Sequence, residues 1–365
     1  MALTSKQEQH AGDASNQYQA NKIIVNNGLS EEQAVKVFQA MIPMTLSSYE
    51  DMAANIAEER INQFKGKLLP RIEKIEGAFE NFKDPAFQIQ LRRAQMAAAV
   101  SDQDSDWDML SQLMIKHIEV KGDRNKKLGV TKAIEIISEI DNQALLALTI
   151  LSTFLYLMPN SGDVNRGLDI LENLYNNLLY QDLPENNSWI EHLEILGVIK
   201  TYPYTNSIKI DDICVNNLAG YATAGIKKES ANFRKACILL QSVGLGVNSL
   251  VDNPLLNGYL ILPILNRKII ENINIEGVGV KRQPSPKEVA VVQQIFDLYD
   301  YGDDRQKAIK NFMELWDEHQ TLKQIHDWTD KIPFRIDVNI VGEILSIANM
   351  RRVVPELKNL DILNL

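Results

Sequence analysis

Three stretches of this 365-residue chain hold side chains at spacings that could do chemistry. The run from Ser101 to Asp108, SDQDSDWD, sets Asp102, Asp104 and Asp106 two residues apart, as at the start of a calcium loop. Such a loop needs glycine at its sixth position and a bidentate glutamate at its twelfth, where this chain has Trp107 and Leu113. The run therefore predicts an acidic helix start, whose carboxylates complement the positive end of the helix dipole. His319 and His326 stand seven residues apart, on one face of a continuous helix, beside Glu318 and Asp327. A metal would need a third ligand that the spacing does not identify, and the pair is not the HExxH of a zinc enzyme. Both are expected as surface or partly packed side chains, and His117 and His192 as structural residues on helices. The third stretch is a polar leader. Its Tyr18, Gln19, Ile23, Ile24 and Val25 form a patch of low charge without proline, the pattern of a strand that docks on an edge or pairs with itself.

Motifs for group transfer are missing. The chain has no GxxxxGK[ST], no GxSxG and no GxGxxG after a strand. Gly244-Leu245-Gly246 lacks both a lysine and a preceding strand, and Glu135 with Glu139 is an ordinary pair in an acidic protein. No catalytic, cofactor-binding or metal-ligating residue is assigned, and no cofactor is expected. A site assembled from distant residues stays open at this level.

The formal charge of −10 disfavours a nucleic-acid partner, which calls for a basic domain or stripe. The one basic concentration, Lys121 to Lys132, reads as a solvated loop and helix start. Cys214 and Cys237 have no metal-like spacing and make no disulfide framework, which points to a reducing compartment. No signal core and no apolar run of bilayer length occurs, so a soluble, cytoplasmic protein with no membrane partner is expected.

The elements that must position these residues are mostly helices. Thr131 to Met158 reads as a buried spine: Ala144, Leu145, Leu148, Leu151, Phe154, Leu155 and Met158 fill one side and Ala147, Ile150 and Leu157 the other. Asp141 caps its second helix and Pro159 ends it. Ahead of it, Ser30 opens a helix running to Pro43. A longer helix carries Met52, Ile56, Ile61, Phe64, Leu68 and Ile72, with Pro70 expected to kink or split it, and Asp84-Pro85 opens another over Phe87, Leu91, Ala94, Gln95 and Ala98. Ser188 to Leu196 and the β-prone VIKTYPYTNSIKI resemble the end of a winged-helix module, although Glu185, Glu191 and Glu194 would repel phosphates. The fold class is mainly α, a multi-helix array around a buried central helix with a small winged-helix-like α+β portion. The chain divides into a leader over 1–28, disordered or with one docked strand, a helical domain over 29–185, a mixed region over 186–283 and a C-terminal helical region over 284–365.

Three passages, GDASNQYQANKIIVNNGLS, DPAFQIQLRRAQMAAAVSDQDSDWDMLSQLM and KAIEIISEIDNQALLALTI, resemble an uncharacterised family of bacterial helical proteins with a Gly-Asp-x-Ser leader and an Asp-Pro-x-Phe-Gln helix. The similarity covers about the first half of the chain. It implies a bacterial or mobile-element origin and brings no catalytic residue. The leader also looks like the amino-terminal tags of bacterial conflict and defence proteins, and departs from their aliphatic-Gln-aliphatic core at Tyr18-Gln19-Ala20. The expected function is a non-enzymatic interaction or scaffold protein in a bacterial defence or toxin-control system, partnered by another protein or by itself as a homo-oligomer. The alternatives are an effector enzyme, hydrolase or nuclease, drawing on residues 186–283, and a winged-helix regulator on nucleic acid.

Overall fold

The computed structural model of the chain describes residues 30–47, 51–120, 122–207, 209–272, 275–277, 280–355 and 362–364. The leader residues Tyr18, Gln19, Ile23, Ile24 and Val25 lie outside them.

α1 (Glu31–Leu46) starts at a capping box in which the Ser30 hydroxyl accepts from the Gln33 N–H and the Gln33 side chain accepts from the Ser30 N–H. It buries Ala34, Phe38 and Ile42 and runs a turn beyond the Pro43 expected to end it. Pro43 is exposed, so water can reach the carbonyl that its missing N–H leaves free. α2 (Asp51–Glu73) turns Ala57, Ile61, Phe64, Leu68 and Ile72 inward and is not split at Pro70, which falls in its last turn. Met52 and Ile56, expected on that buried stripe, are 82% and 52% exposed.

A 3-10 turn (Ala78–Lys83) leads to α3 (Pro85–Val100), where Asp84 accepts from the Ala86 N–H and Pro85 occupies the first turn as its sequence predicts. α4 (Asp104–Glu119) and α5 (Arg124–Ile136) follow, and Asp123 caps the second by accepting from the Asn125 and Lys126 N–H groups. α6 (Asn142–Tyr156) is the spine. The Asp141 carboxylate accepts from Gln143 and Ala144, the ten residues from Ala144 to Phe154 apart from Leu151 are buried, and Leu155, expected inward, is 36% exposed.

β1 (Leu157–Pro159), α7 (Val164–Leu178), α8 (Ser188–Ile195), β2 (Ile199–Tyr202) and α9 (Ile210–Asn217) come next. β3 (Ile226–Lys227), α10 (Ala231–Ser242), β4 (Val251–Asp252), β5 (Tyr259–Ile261), β6 (Ile275–Gly277), β7 (Val280–Arg282) and α11 (Pro286–Asp297) form a compact insertion. The chain then returns through α12 (Asp303–Asp317), α13 (Gln320–Thr329), β8 (Arg335–Val338), α14 (Ile340–Val353) and β9 (Ile362–Asn364). The class is mainly α with small antiparallel sheets. Among the described residues, no local hairpin follows α8. β2 pairs with β8, Ile199 opposite Val338 and Tyr202 opposite Arg335, while the residues expected to return as its partner open α9 at Ile210. The guanidinium of Arg335 and the ammonium of Lys200 both sit over the Tyr202 ring, which favours this pairing.

Buried apolar residues fall into two clusters. The larger joins the helices from α1 to α9 with α12, α13 and α14, and α14 packs on α4, α5 and α6. A Cβ at Gly342 would approach the Val198 carbonyl oxygen to 2.6 Å, so only glycine permits that contact. Inside the contact, Ser152 and Ser346 hydroxyls lie 2.8 Å apart and Asn349 donates to the Thr149 hydroxyl at 2.9 Å. These satisfied polar pairs fix the register of α14 along α6. The smaller cluster, between Ile226 and Tyr299, is built from the β3-β5-β4 sheet, α10 and α11. Its two ends meet where the Asp300 N–H donates to the Gly225 carbonyl.

Candidate functional site

The residues singled out in the sequence for chemistry are drawn into packing. α12 ends at Asp317 and α13 starts at Gln320, with His319 in extended geometry between them, so His319 and His326 do not share one helix face. The break is held from outside. Both Glu172 oxygens, from α7, accept from the Thr321 N–H at 3.0 and 3.1 Å, while the Thr321 hydroxyl and the Leu322 N–H donate at 2.7 and 3.0 Å. A carboxylate here answers the unpaired N–H groups and positive dipole end of α13. The Trp316 indole donates to the Leu322 carbonyl at 3.1 Å and closes the corner.

His326 fastens three elements. Its Nδ1 is 2.8 Å from Asp317 of α12 and its Nε2 is 3.1 Å from Asp211 of α9, with Asp330 at 3.9 Å. Asp330 in turn pairs with Lys209 at 2.8 Å. The first two carboxylates bind opposite edges of the ring and cannot converge with it on one ion. Among the described residues, no group of three His, Cys, Asp or Glu side chains is placed to hold a metal. His319 has Nδ1 3.0 Å from the Leu315 carbonyl and Nε2 3.5 Å from Asp169. His192 accepts from the Asp141 N–H at 3.1 Å, adding to the cap of α6. His117 is buried against Phe87, and burial pulls its pKa below the usual histidine value. Burial pushes the Cys214 thiol up, which keeps it from the thiolate form a nucleophile needs.

The acidic run opens α4 as expected, with its carboxylates on separate partners. Asp104 pairs with Lys67 at 2.8 Å and Asp108 with Arg71 at 2.5 Å. Asp106 is buried and accepts from the Ser101 hydroxyl at 2.5 Å; burial is the leading cause of its raised pKa. Asp102 accepts from the Gln103 side-chain amide at 3.0 Å, so Asp102, Asp104 and Asp106 are dispersed and do not form a calcium cradle.

Two surfaces stand out among the described residues, and the sequence marked neither. One is an open cleft between the connection after α7 and the outer face of α13. It consists of cavities of ≈ 540 Å³ and ≈ 590 Å³ that share Asp182, Gln320 and Gln324. Its floor includes Pro184 and Trp328, whose indole donates to the Pro184 carbonyl at 3.0 Å. Lining residues separated by more than a hundred positions leave no local pattern to find.

The other is apolar. Ile89, Met96 and Val100 lie exposed along α3, on the side away from Phe87, Leu91, Ala94, Gln95 and Ala98. Met44 on α1 and Met52 and Ile56 on α2 are exposed as well. Arg60 of α2 donates to the Val100 carbonyl at 3.0 Å, and Arg92 of α3 donates to the Met44 carbonyl at 3.4 Å, which ties α3 to both of its neighbours. The seven- and four-residue steps from Ile89 to Met96 to Val100 were a usable signal for this second stripe.

Among the described residues, no helix is long and apolar enough to cross a membrane. A protein-family model described as ":-like" matches residues 28–363. No curated protein and no solved structure matches.

Proposed function

The chain belongs to the ":-like" family, a description that carries no reaction, and we propose that it is a non-enzymatic interaction protein, a helical scaffold that binds another protein chain or a second copy of itself. The observation that carries this reading is the apolar surface on α1, α2 and α3, with Met44, Met52, Ile56, Ile89, Met96 and Val100 in water. Exposed apolar side chains grouped on neighbouring helices favour contact with another protein, and methionine adapts to partners of different shape. The leader supplies a second contact through Tyr18, Gln19, Ile23, Ile24 and Val25 by strand pairing. Its likeness to the tags of bacterial conflict proteins supports a role for the scaffold in a defence or toxin-control setting.

Light scattering over a range of concentrations tests the self-binding form. The full chain is expected above the mass of one copy, with Met96→Glu combined with Val100→Glu, or removal of residues 1–28, returning it to one copy. A chain that is a single copy at every concentration, and unchanged in both variants, overturns self-association. Both stripe substitutions fall on exposed positions, so helical circular dichroism should be unaltered.

A further inference from the structure

We propose that the cleft along α13 is a binding site for an extended peptide segment carrying lysine or arginine side chains. Five carboxylates and two lysines line its two cavities; Lys323 is neutralised by Asp327 at 2.8 Å, and Lys331 is the one lysine left against the other four carboxylates. Among the described residues, the side chains of Asp182, Glu185, Gln320 and Gln324 make no hydrogen bond or ion pair, and Gln181, also in the lining, has a buried Nε2 without a partner. Unengaged carboxylates beside unengaged amides call for a ligand that is cationic and also both donates and accepts.

The spacing narrows the ligand to a polypeptide. Gln320 and Gln324 lie one helical turn apart on the exposed face of α13, a rise of about 6 Å. Alternate residues of an extended chain are about 6.6–6.8 Å apart. A glutamine offers an acceptor and two donors, the complement of a peptide group, so the two can read the backbone of alternate residues. Asp182 and Glu185, on the opposite wall, then meet the basic side chains. The apolar floor of Pro184 and Trp328 accommodates the aliphatic stems of those side chains. This site uses other elements than the apolar surface of α1 to α3 and does not depend on it.

The test uses the full chain and a fluorescent eight-residue peptide alternating lysine and glycine, with a glutamate-glycine peptide as control. Saturable binding of the lysine peptide alone is expected. Gln320→Ala with Gln324→Ala, and separately Asp182→Lys with Glu185→Lys, should each weaken it by about tenfold or more. Glu58→Lys with Glu59→Lys, on α2, should leave it unchanged. Absence of binding overturns the proposal. So does equal weakening by the α2 pair, which would mean attraction to the acidic surface at large, and so does indifference to the glutamine pair, which would mean a site for cations without a peptide. The Met96→Glu variant should keep peptide binding, so failure of the scaffold reading and failure of this site are read separately.

Discussion

The two clusters of the molecule are built on different terms. In the large one, long helices bury whole faces, and aromatic rings meet at its centre: Phe154 stacks on Tyr175 with centroids 4.6 Å apart, and Trp316 touches both Phe154 and Phe312 at 6.2 Å. The small one rests on strands of two or three residues with α10 and α11, has twelve buried apolar residues among those described, and sends Leu255 and Leu265 into its larger neighbour. The contrast teaches that stability here depends on contacts between distant parts of the chain. α14 and β8 complete the large cluster from the far end of the sequence, whereas the insertion is closed locally at Gly225 and Asp300. The large cluster should therefore unfold as a unit and the small one should open by itself.

Trp316→Ala tests the first half of that statement with the largest expected effect. It removes a fully buried ring and leaves the Leu322 carbonyl without its indole donor, so a loss of about 3–5 kcal/mol in global unfolding is expected. Denaturant melts of the variant should shift every probe in the large cluster together. If the α10–α11 region alone responds, the two clusters have been assigned the wrong way round. Ile295→Ala tests the second half. Ile295 is fully buried in the small cluster, and its truncation should weaken that cluster by about 2–5 kcal/mol. Amide exchange should speed up over 226–299 and stay slow in α6 and α14; acceleration in all three would merge the clusters into one cooperative unit.

How far the fold was legible follows the same division. α6 could be read because its apolar residues recur on every side and Asp141 stands where a cap must, and α3 because Asp84-Pro85 is a local start signal. These depend on neighbours within four residues. The partner of β2 could not be read: its strand propensity is local, while the edge it pairs with arrives at Arg335 to Val338. The exposure of Met52 and Ile56 was missed for a related reason. Apolar spacing shows that α2 has a stripe, but both the 57–61–64–68–72 series and the 52–56 pair satisfy it, and only packing decides which faces inward. The site suffered most. Nothing near His319 breaks a helix by its own propensity, and the carboxylate that separates α12 from α13 comes from Glu172, far back in α7.

That carboxylate gives a test of middle size. Glu172→Gln keeps the shape and removes the charge: one oxygen can still accept, but the amide nitrogen in place of the other is a donor facing the Thr321 or Leu322 donor, so at least one hydrogen bond is lost. A loss of about 1–2 kcal/mol is expected, with exchange at the Thr321 and Leu322 amides rising most. An unchanged protein would mean that Trp316 and the α7 contact alone hold the corner, and that the α12–α13 break is set by packing.

Acid offers the smallest effect and sharpens the comparison between the clusters. In the insertion, Arg282 is the leading cause that holds the Glu288 carboxyl at about 2, with N–H and hydroxyl bonds from the Ser285 cap adding to it. A depressed carboxyl stabilises the fold above its unfolded value of 4.5, and that contribution fades as pH falls from there through about 2. In the large cluster the buried Asp106 has the opposite sign. Its raised pKa means that the folded state takes up a proton before the unfolded state does, so its contribution grows as pH falls toward 3.8. His117, lowered by burial, works against the large cluster once pH drops below about 6.5, where the unfolded ring takes a proton first. As pH drops below about 6.5 His117 thus works against the large cluster, and below about 4.5 the loss of the Glu288 contribution weakens the insertion. Exchange in α11 should accelerate in that lower window in the native chain and lose this acceleration in Glu288→Gln, while exchange in α4 keeps the same pH course in both. A Glu288→Gln chain whose α11 still loosens below pH 4.5 would place the acid sensitivity of the insertion in other carboxylates.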